Sequence, residues 1–225
     1  MIRCSAASPF DTTVGTFAVG TDNGVLIPDL NKHIVQKYQL KRNHSVPRDI
    51  FALDFLSQNA FVGGMNHGRV KLWDLRTEES VFRIGHPSAV RSLKRADCAE
   101  RLIVRGTTGE LNMYDLRFVK EEQQWPTVSH PYLVFPMQEL TASGHVGIDV
   151  STELGLLAIA TSPNQVSLYN LRTGKSEGVA QTTVPKTSLN MALSDPVHTI
   201  RFKNDDRGTP MMIVANGEGV LRLTL

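Results

Sequence analysis

Three four-residue stretches, Trp73-Asp74-Leu75-Arg76, Tyr114-Asp115-Leu116-Arg117 and Tyr169-Asn170-Leu171-Arg172, repeat one arrangement: an aromatic ring, a carboxylate or amide, an apolar residue and an arginine. A planar guanidinium pairs in a fork with carboxylate or carbonyl oxygens, so this pattern serves recognition rather than bond making. The Asp two residues before the Arg either holds it for a partner or pairs with it as the brace of a turn, and the sequence leaves both open. The candidate partner-binding residues are Trp73, Asp74, Arg76, Tyr114, Asp115, Arg117 and Arg172.

Catalytic patterns are missing from the sequence. The seven histidines, His33, His44, His67, His86, His130, His145 and His198, fall in separate stretches. There is no Cys-x-x-Cys, His-x-x-x-His, phosphate-cradling glycine loop or nucleophile elbow. The acidic pairs Asp205-Asp206 and Glu121-Glu122 read as solvated charge. The sequence therefore predicts no enzyme, no cofactor and no metal site. Trp125, between two glutamines and Pro126, is a minor candidate for an exposed anchor.

The elements that must carry the arginines are strands. Each motif closes a segment of period 2, Val70 to Leu75, Leu111 to Leu116 and Val166 to Leu171, and the pattern recurs at Val25 to Leu30 and Val220 to Leu225. A second apolar stretch precedes each copy across a turn: Asp22-Asn23-Gly24, Asn66-His67-Gly68, Thr107-Thr108-Gly109, Pro163-Asn164 and Gly217-Glu218-Gly219. Gly and Asn accept the positive φ of tight strand connections, so the repeating unit is a hairpin. Pro28, Trp73 and Tyr114 are spaced within the ~40–45 residues of a propeller blade, and the longer intervals to Tyr169 and Leu223 hold insertions.

The expected fold is all-β: a β-propeller of about five blades over a single unit, 1–225, with blades near 1–45, 46–86, 87–143, 144–195 and 196–225. In the first, inner, middle and outer strands fall at Ile2 to Ala7, Thr16 to Gly20, Val25 to Leu30 and Ile34 to Leu40. Pro28 weakens its ladder unless no partner needs its missing N–H. Three prolines confine any outer strand near Tyr132 to Phe135 to an edge. No stretch carries the sustained 3.6 periodicity and caps of a helix.

Composition narrows the class. The 225 residues are 41% hydrophobic, enough for a core, and 24 basic residues nearly balance 22 acidic ones. No basic run exceeds two residues, so direct nucleic-acid binding is not expected. Cys4 and Cys98 cannot build a disulfide framework. The N-terminus lacks the pattern of a secretory signal, and no apolar run reaches the ~18 residues of a membrane span. A soluble protein of the cytoplasm or nucleus is expected.

Trp73-Asp74, the Gly85-His86 and Gly144-His145 dipeptides and the four-strand rhythm resemble the WD-repeat family over essentially the whole chain. In that family a Gly-His histidine, an Asp of the turn before the third strand and its Trp form a buried polar network. No repeat here has all three: His86 enters the repeat whose turn is Thr107-Thr108, and Trp73 belongs to the repeat with His67 there. Apolar packing is therefore expected to carry more of the stability. Such propellers usually have seven blades. A chain that begins on an inner strand and ends on a third strand is expected to lack roughly two N-terminal blades.

Within that family, Trp73-Asp74-Leu75-Arg76 and Tyr114-Asp115-Leu116-Arg117 are similar to the signature of substrate receptors that dock a cullin-4 ubiquitin ligase through its damaged-DNA-binding adaptor. Phe61 to Arg76 spans that family's sixteen-residue box and departs from it at His67, where an acidic residue is usual. Arg172, after Asn170, is a weaker third copy. The last blades look most like the cullin-4-associated factor 4 type. The resemblance implies a non-catalytic receptor that contacts the adaptor through Arg76 and Arg117 and holds an unspecified substrate elsewhere. A general WD-repeat scaffold of an RNA-processing, trafficking or chromatin complex is the alternative.

Overall fold

The computed structural model describes residues 1–11, 15–29, 33–39, 49–77, 80–119, 128–136, 147–161, 165–177, 197–217 and 219–224. The described secondary structure is strand throughout, with no helix among these residues. The strands group into two compact units, Met1–Tyr132 and Leu133–Leu225.

The first unit holds three antiparallel meanders. In the first, β1 (Ile2–Ala7), β2 (Phe17–Thr21), β3 (Gly24–Asp29) and β4 (Ile34–Gln39) lie side by side in chain order. The second repeats the order with β5 (Ile50–Ser57), β6 (Ala60–Met65), β7 (Arg69–Asp74) and β8 (Ser80–Gly85). The third contains β9 (Val90–Arg95), β10 (Arg101–Gly106) and β11 (Leu111–Asp115), with the Tyr132 N–H donated to the Met113 carbonyl at the outer edge. At two of the expected turns, Gly68 and Gly109 take φ of 81° and 100°, conformations that disfavour a side chain.

The second unit opens on β12 (Leu133–Val134), a two-residue strand inside the stretch expected for an outer strand. Two three-stranded meanders follow: β13 (Ile148–Ser151), β14 (Leu156–Thr161) and β15 (Gln165–Asn170), then β16 (Thr199–Asn204), β17 (Pro210–Asn216) and β18 (Gly219–Thr224). After the third motif, a single antiparallel bridge joins Tyr169 and Ser176. Gly144-His145, Trp125, the Pro163-Asn164 turn and most of the polar loop 173–194 lie outside the described residues.

The cores of the first unit lie between successive meanders. One joins Ala18, Val25 and Tyr38 to Ile50, Phe55, Phe61 and Trp73; the next joins Val62, Val70 and Ile84 to Val90, Leu102 and Tyr114. Phe61 and Trp73 stack at 5.1 Å with planes 7° apart, and the Tyr38 ring meets Phe61 edge-on at 5.3 Å. The second strands β6 and β10 are buried on both faces, so the polar-out alternation is absent there. Glycine makes the close approach possible, because a Cβ on Gly64 would come within 2.3 Å of Val90 Cγ1.

Inner strands are also tied by carboxylates. Asp54 Oδ2 on β5 accepts the Arg95 N–H on β9 at 2.6 Å, and in the second unit Asp149 Oδ2 on β13 accepts the Phe202 N–H on β16 at 2.9 Å. Pro28 is accommodated because the registered β2–β3 pairs are Val19↔Leu26 and Gly20↔Val25, two or more residues away. Its partner Val35 lies on the other side.

Candidate protein-interaction surface

The three aromatic-x-x-Arg motifs fold into one local structure. In each, the N–H of the apolar residue after the third strand is donated to a carbonyl of the turn between the first and second strands: Leu75 to Asn59, Leu116 to Glu100 and Leu171 to Gly155. The next N–H is donated back to the polar residue's side chain: Arg76 to Asp74 Oδ1 at 2.9 Å, Arg117 to Asp115 Oδ1 at 3.1 Å and Arg172 to Asn170 Oδ1 at 2.9 Å. This is an Asx turn, which Asp and Asn make equally well.

What Asp adds is the side-chain fork. Arg76 Nε and Nη2 reach Asp74 Oδ1 and Oδ2 at 2.9 and 2.5 Å. Arg117 Nε and Nη2 do the same to Asp115 at 2.9 and 2.6 Å. The arginine beside each carboxyl holds it below the usual range, Asp74 at about 2. The amide of Asn170 offers no such fork, and Arg172 is exposed in the second unit.

Trp73 and Tyr114 are packing residues rather than contact residues, at 1% and 0% exposure. Trp73 stacks on Phe61, and Tyr114 meets the His86 ring edge-on. The motif thus anchors itself with the aromatic ring and turns its guanidinium outward. In the first unit Asp74 and Asp115 end equivalent strands, so Arg76 and Arg117 leave the same end of neighbouring meanders. The first meander braces this end, since the Tyr38 hydroxyl donates to the Leu75 carbonyl at 3.0 Å.

Two features of this end were not singled out from the sequence. Phe118 follows Arg117 directly and is 76% exposed, with the Arg117 guanidinium 5.5 Å from its ring. A cleft of about 250 Å³ is lined by Leu56, Ala60, Leu72, Leu116, Glu100 and Arg117. Phe118 was available as an aromatic next to a charged turn, whereas the cleft needs two meanders to exist.

A polar cluster also departs from the expectation that apolar packing stands in for the family network. In the third meander His86 Nδ1 meets the Tyr114 hydroxyl at 3.0 Å, and Asn112 donates to the same oxygen at 3.4 Å. Ser88 Oγ donates to Glu110 Oε2 at 2.7 Å and accepts the Thr107 N–H at 3.0 Å. Thr108 also donates to Glu110. Glu110, the residue after the turn, supplies the carboxylate that the turn itself lacks. His86 is the structural residue that its position suggested, and burial pushes its pKa down to about 4.

Among the described residues no group of His, Cys, Asp and Glu is placed to hold a metal. Cys4 and Cys98 are free thiols, and burial pushes Cys4 up to about 12.

No family model matches the chain. It is 30% identical over 110 residues to WD repeat-containing protein 21 of Schizosaccharomyces pombe, covering 48% of this chain and 25% of that protein. It is 27% identical over 152 residues to the WD repeat-containing protein 55 homolog of Drosophila erecta, covering 66% of this chain and 27% of that protein. The chain spans about a quarter of the length of these curated relatives. Among solved structures, the computationally designed Ika8 protein superposes with a TM-score of 0.63 at 16% identity, covering 97% of this chain and 57% of that one. The designed Ika4 protein gives 0.56 at 17% identity, covering 84% and 98%. These two likenesses concern the fold alone. The all-β meanders and the two curated relatives together support a WD-repeat protein with a β-propeller blade arrangement.

Proposed function

We propose that the chain is a non-catalytic protein-interaction module, and that the end carrying Arg76 and Arg117 docks the adaptor of a cullin-4 type ubiquitin ligase while another surface receives the substrate. The coarser part rests on the WD-repeat relatives, since WD-repeat proteins generally act as protein-binding scaffolds. The observation that carries the finer part is the pair of clamped arginines. Each guanidinium is fixed through Nε and Nη2 on its own Asp, which removes rotamer entropy before binding and leaves Nη1 for a partner's carbonyl or carboxylate. Phe118 and the cleft add apolar area beside Arg117.

A general WD-repeat scaffold is the second reading, and one observation favours it: the Asp forks already satisfy both arginines in cis, as a turn brace would require. Affinity purification of the chain with the purified adaptor separates the two. Under the receptor reading the adaptor is retained by wild type and lost by the Arg76→Ala, Arg117→Ala double variant. Under the scaffold reading neither protein retains it.

A further inference from the structure

At the opposite end of the first unit, the inner strands carry a repeated irregularity. Each opens with a β-bulge, one extra residue against its neighbour: Arg3 between the pairs Ile2↔Thr21 and Cys4↔Gly20, Phe51 between Ile50↔Met65 and Ala52↔Gly64, and Arg91 between Val90↔Gly106 and Ser92↔Arg105. A bulge re-aims the residue it inserts, and such irregularities concentrate at functional sites. Here three of them build one row across three meanders. The Arg3 and Arg91 guanidinium carbons stand 5.4 and 4.7 Å from the centre of the Phe51 ring.

Arg105 on β10 lies opposite the third bulge and is only 2% exposed. Its Nε and Nη1 are buried without a hydrogen-bond partner, as is Nε of Arg91. Burial and the nearby Arg91 charge both depress the Arg105 pKa. A buried cation without an acceptor is costly, and cations in such places are ordinarily paired. Two acids at this end are already engaged: Asp49 pairs with Arg3 of the row at 3.5 Å, and Glu110 holds Ser88 and Thr108. Among the described residues no acid pairs with Arg91 or Arg105.

We infer that the Arg3–Phe51–Arg91 row with Arg105 behind it binds an acidic peptide segment, one carboxylate of which accepts from the Arg105 and Arg91 guanidinium groups. An extended row over three strands suits a chain rather than a single small ion. Phe51 offers an apolar face between the charges, and Arg105 is placed to draw a carboxylate inward. Register separates this row from the docking end: Phe51 sits beside the Ile50↔Met65 pair, whereas Asp74 pairs with Ala60 at the far end of β6. The inference does not rest on the cullin-4 reading.

The test is fluorescence anisotropy of a fluorescein-labelled octaglutamate peptide titrated with the 225-residue chain at low ionic strength, where charge pairing is least screened. The expected result is saturable binding by wild type, weakened about tenfold or more by Arg105→Met and by Arg91→Met and unchanged in the Arg76→Ala, Arg117→Ala variant. Without peptide, Arg105→Met is expected to melt no lower than wild type, because it removes a buried unpaired charge. If Arg105→Met fails to fold, Arg91→Met decides. Absence of saturable wild-type binding, wild-type affinity in a folded Arg105→Met or in Arg91→Met, or binding of inorganic phosphate with none of octaglutamate each overturns the assignment.

Discussion

Arg117 Nη2 lies 2.6 Å from Asp115 Oδ2, with the Asp115 side chain 3% exposed and the Arg117 side chain 56% exposed. The two partners therefore do different work. Asp115 closes the turn from inside through the Arg117 N–H, and the guanidinium is presented to solvent. Asp115→Ala should destabilise the chain on the order of 1 kcal/mol through loss of that backbone hydrogen bond, whereas Arg117→Ala should leave the melting temperature close to wild type. Thermal melts of the two variants check this, and equal losses would show the arginine to be part of the brace.

The contact between successive meanders predicts a second asymmetry. Gly64→Ala places a methyl group 2.3 Å from Val90 Cγ1 and 2.8 Å from Val90 Cβ, so β5–β8 and β9–β11 must separate or distort. A cost of about 1–3 kcal/mol is expected in urea unfolding. Adding Val90→Ala should recover part of it by vacating the space. A double variant no more stable than Gly64→Ala alone would place the strain elsewhere.

Acid sensitivity follows from His86. Burial holds its pKa at about 4, against about 6.5 for an unperturbed histidine, so the unfolded chain takes the proton first as pH falls. The stabilisation is complete above about pH 6.5 and is lost progressively toward pH 4, up to ~3 kcal/mol for this residue. His67, also depressed to about 4, acts in the same direction. Urea unfolding from pH 7.5 to 4.5 should show a shallower pH dependence in His86→Asn than in wild type. Parallel curves would contradict the role given to His86.

The strands were legible because they obey a local rule. Alternation ending in Asp-Leu-Arg, with a Gly turn before it, placed β7 and β11 within a residue or two of their observed bounds. The Asp–Arg pairing was legible for the same reason: two residues apart, it closes within one turn. Interactions set by pairing between strands were not. Nothing around Arg3, Phe51 or Arg91 marks a bulge, which is a property of register with β2, β6 and β10. The Asp54–Arg95 tie and the Ser88–Glu110 bond join residues 41 and 22 positions apart: the first needs two meanders side by side, and the second needs the third meander formed. Trp73 and Tyr114 carry the most recognisable residue types of the motif, yet they are buried. The pattern that defines the architecture and the surface offered to a partner are carried by different side chains.

Titration calorimetry of the 225-residue chain against the purified cullin-4 adaptor measures directly whether the clamped arginines dock a partner. If they do, binding is saturable, weakens at least about tenfold in Arg76→Ala, Arg117→Ala and persists in Arg105→Met. A folded wild type that shows no binding, or a double variant that binds as tightly as wild type, would contradict docking through the arginines.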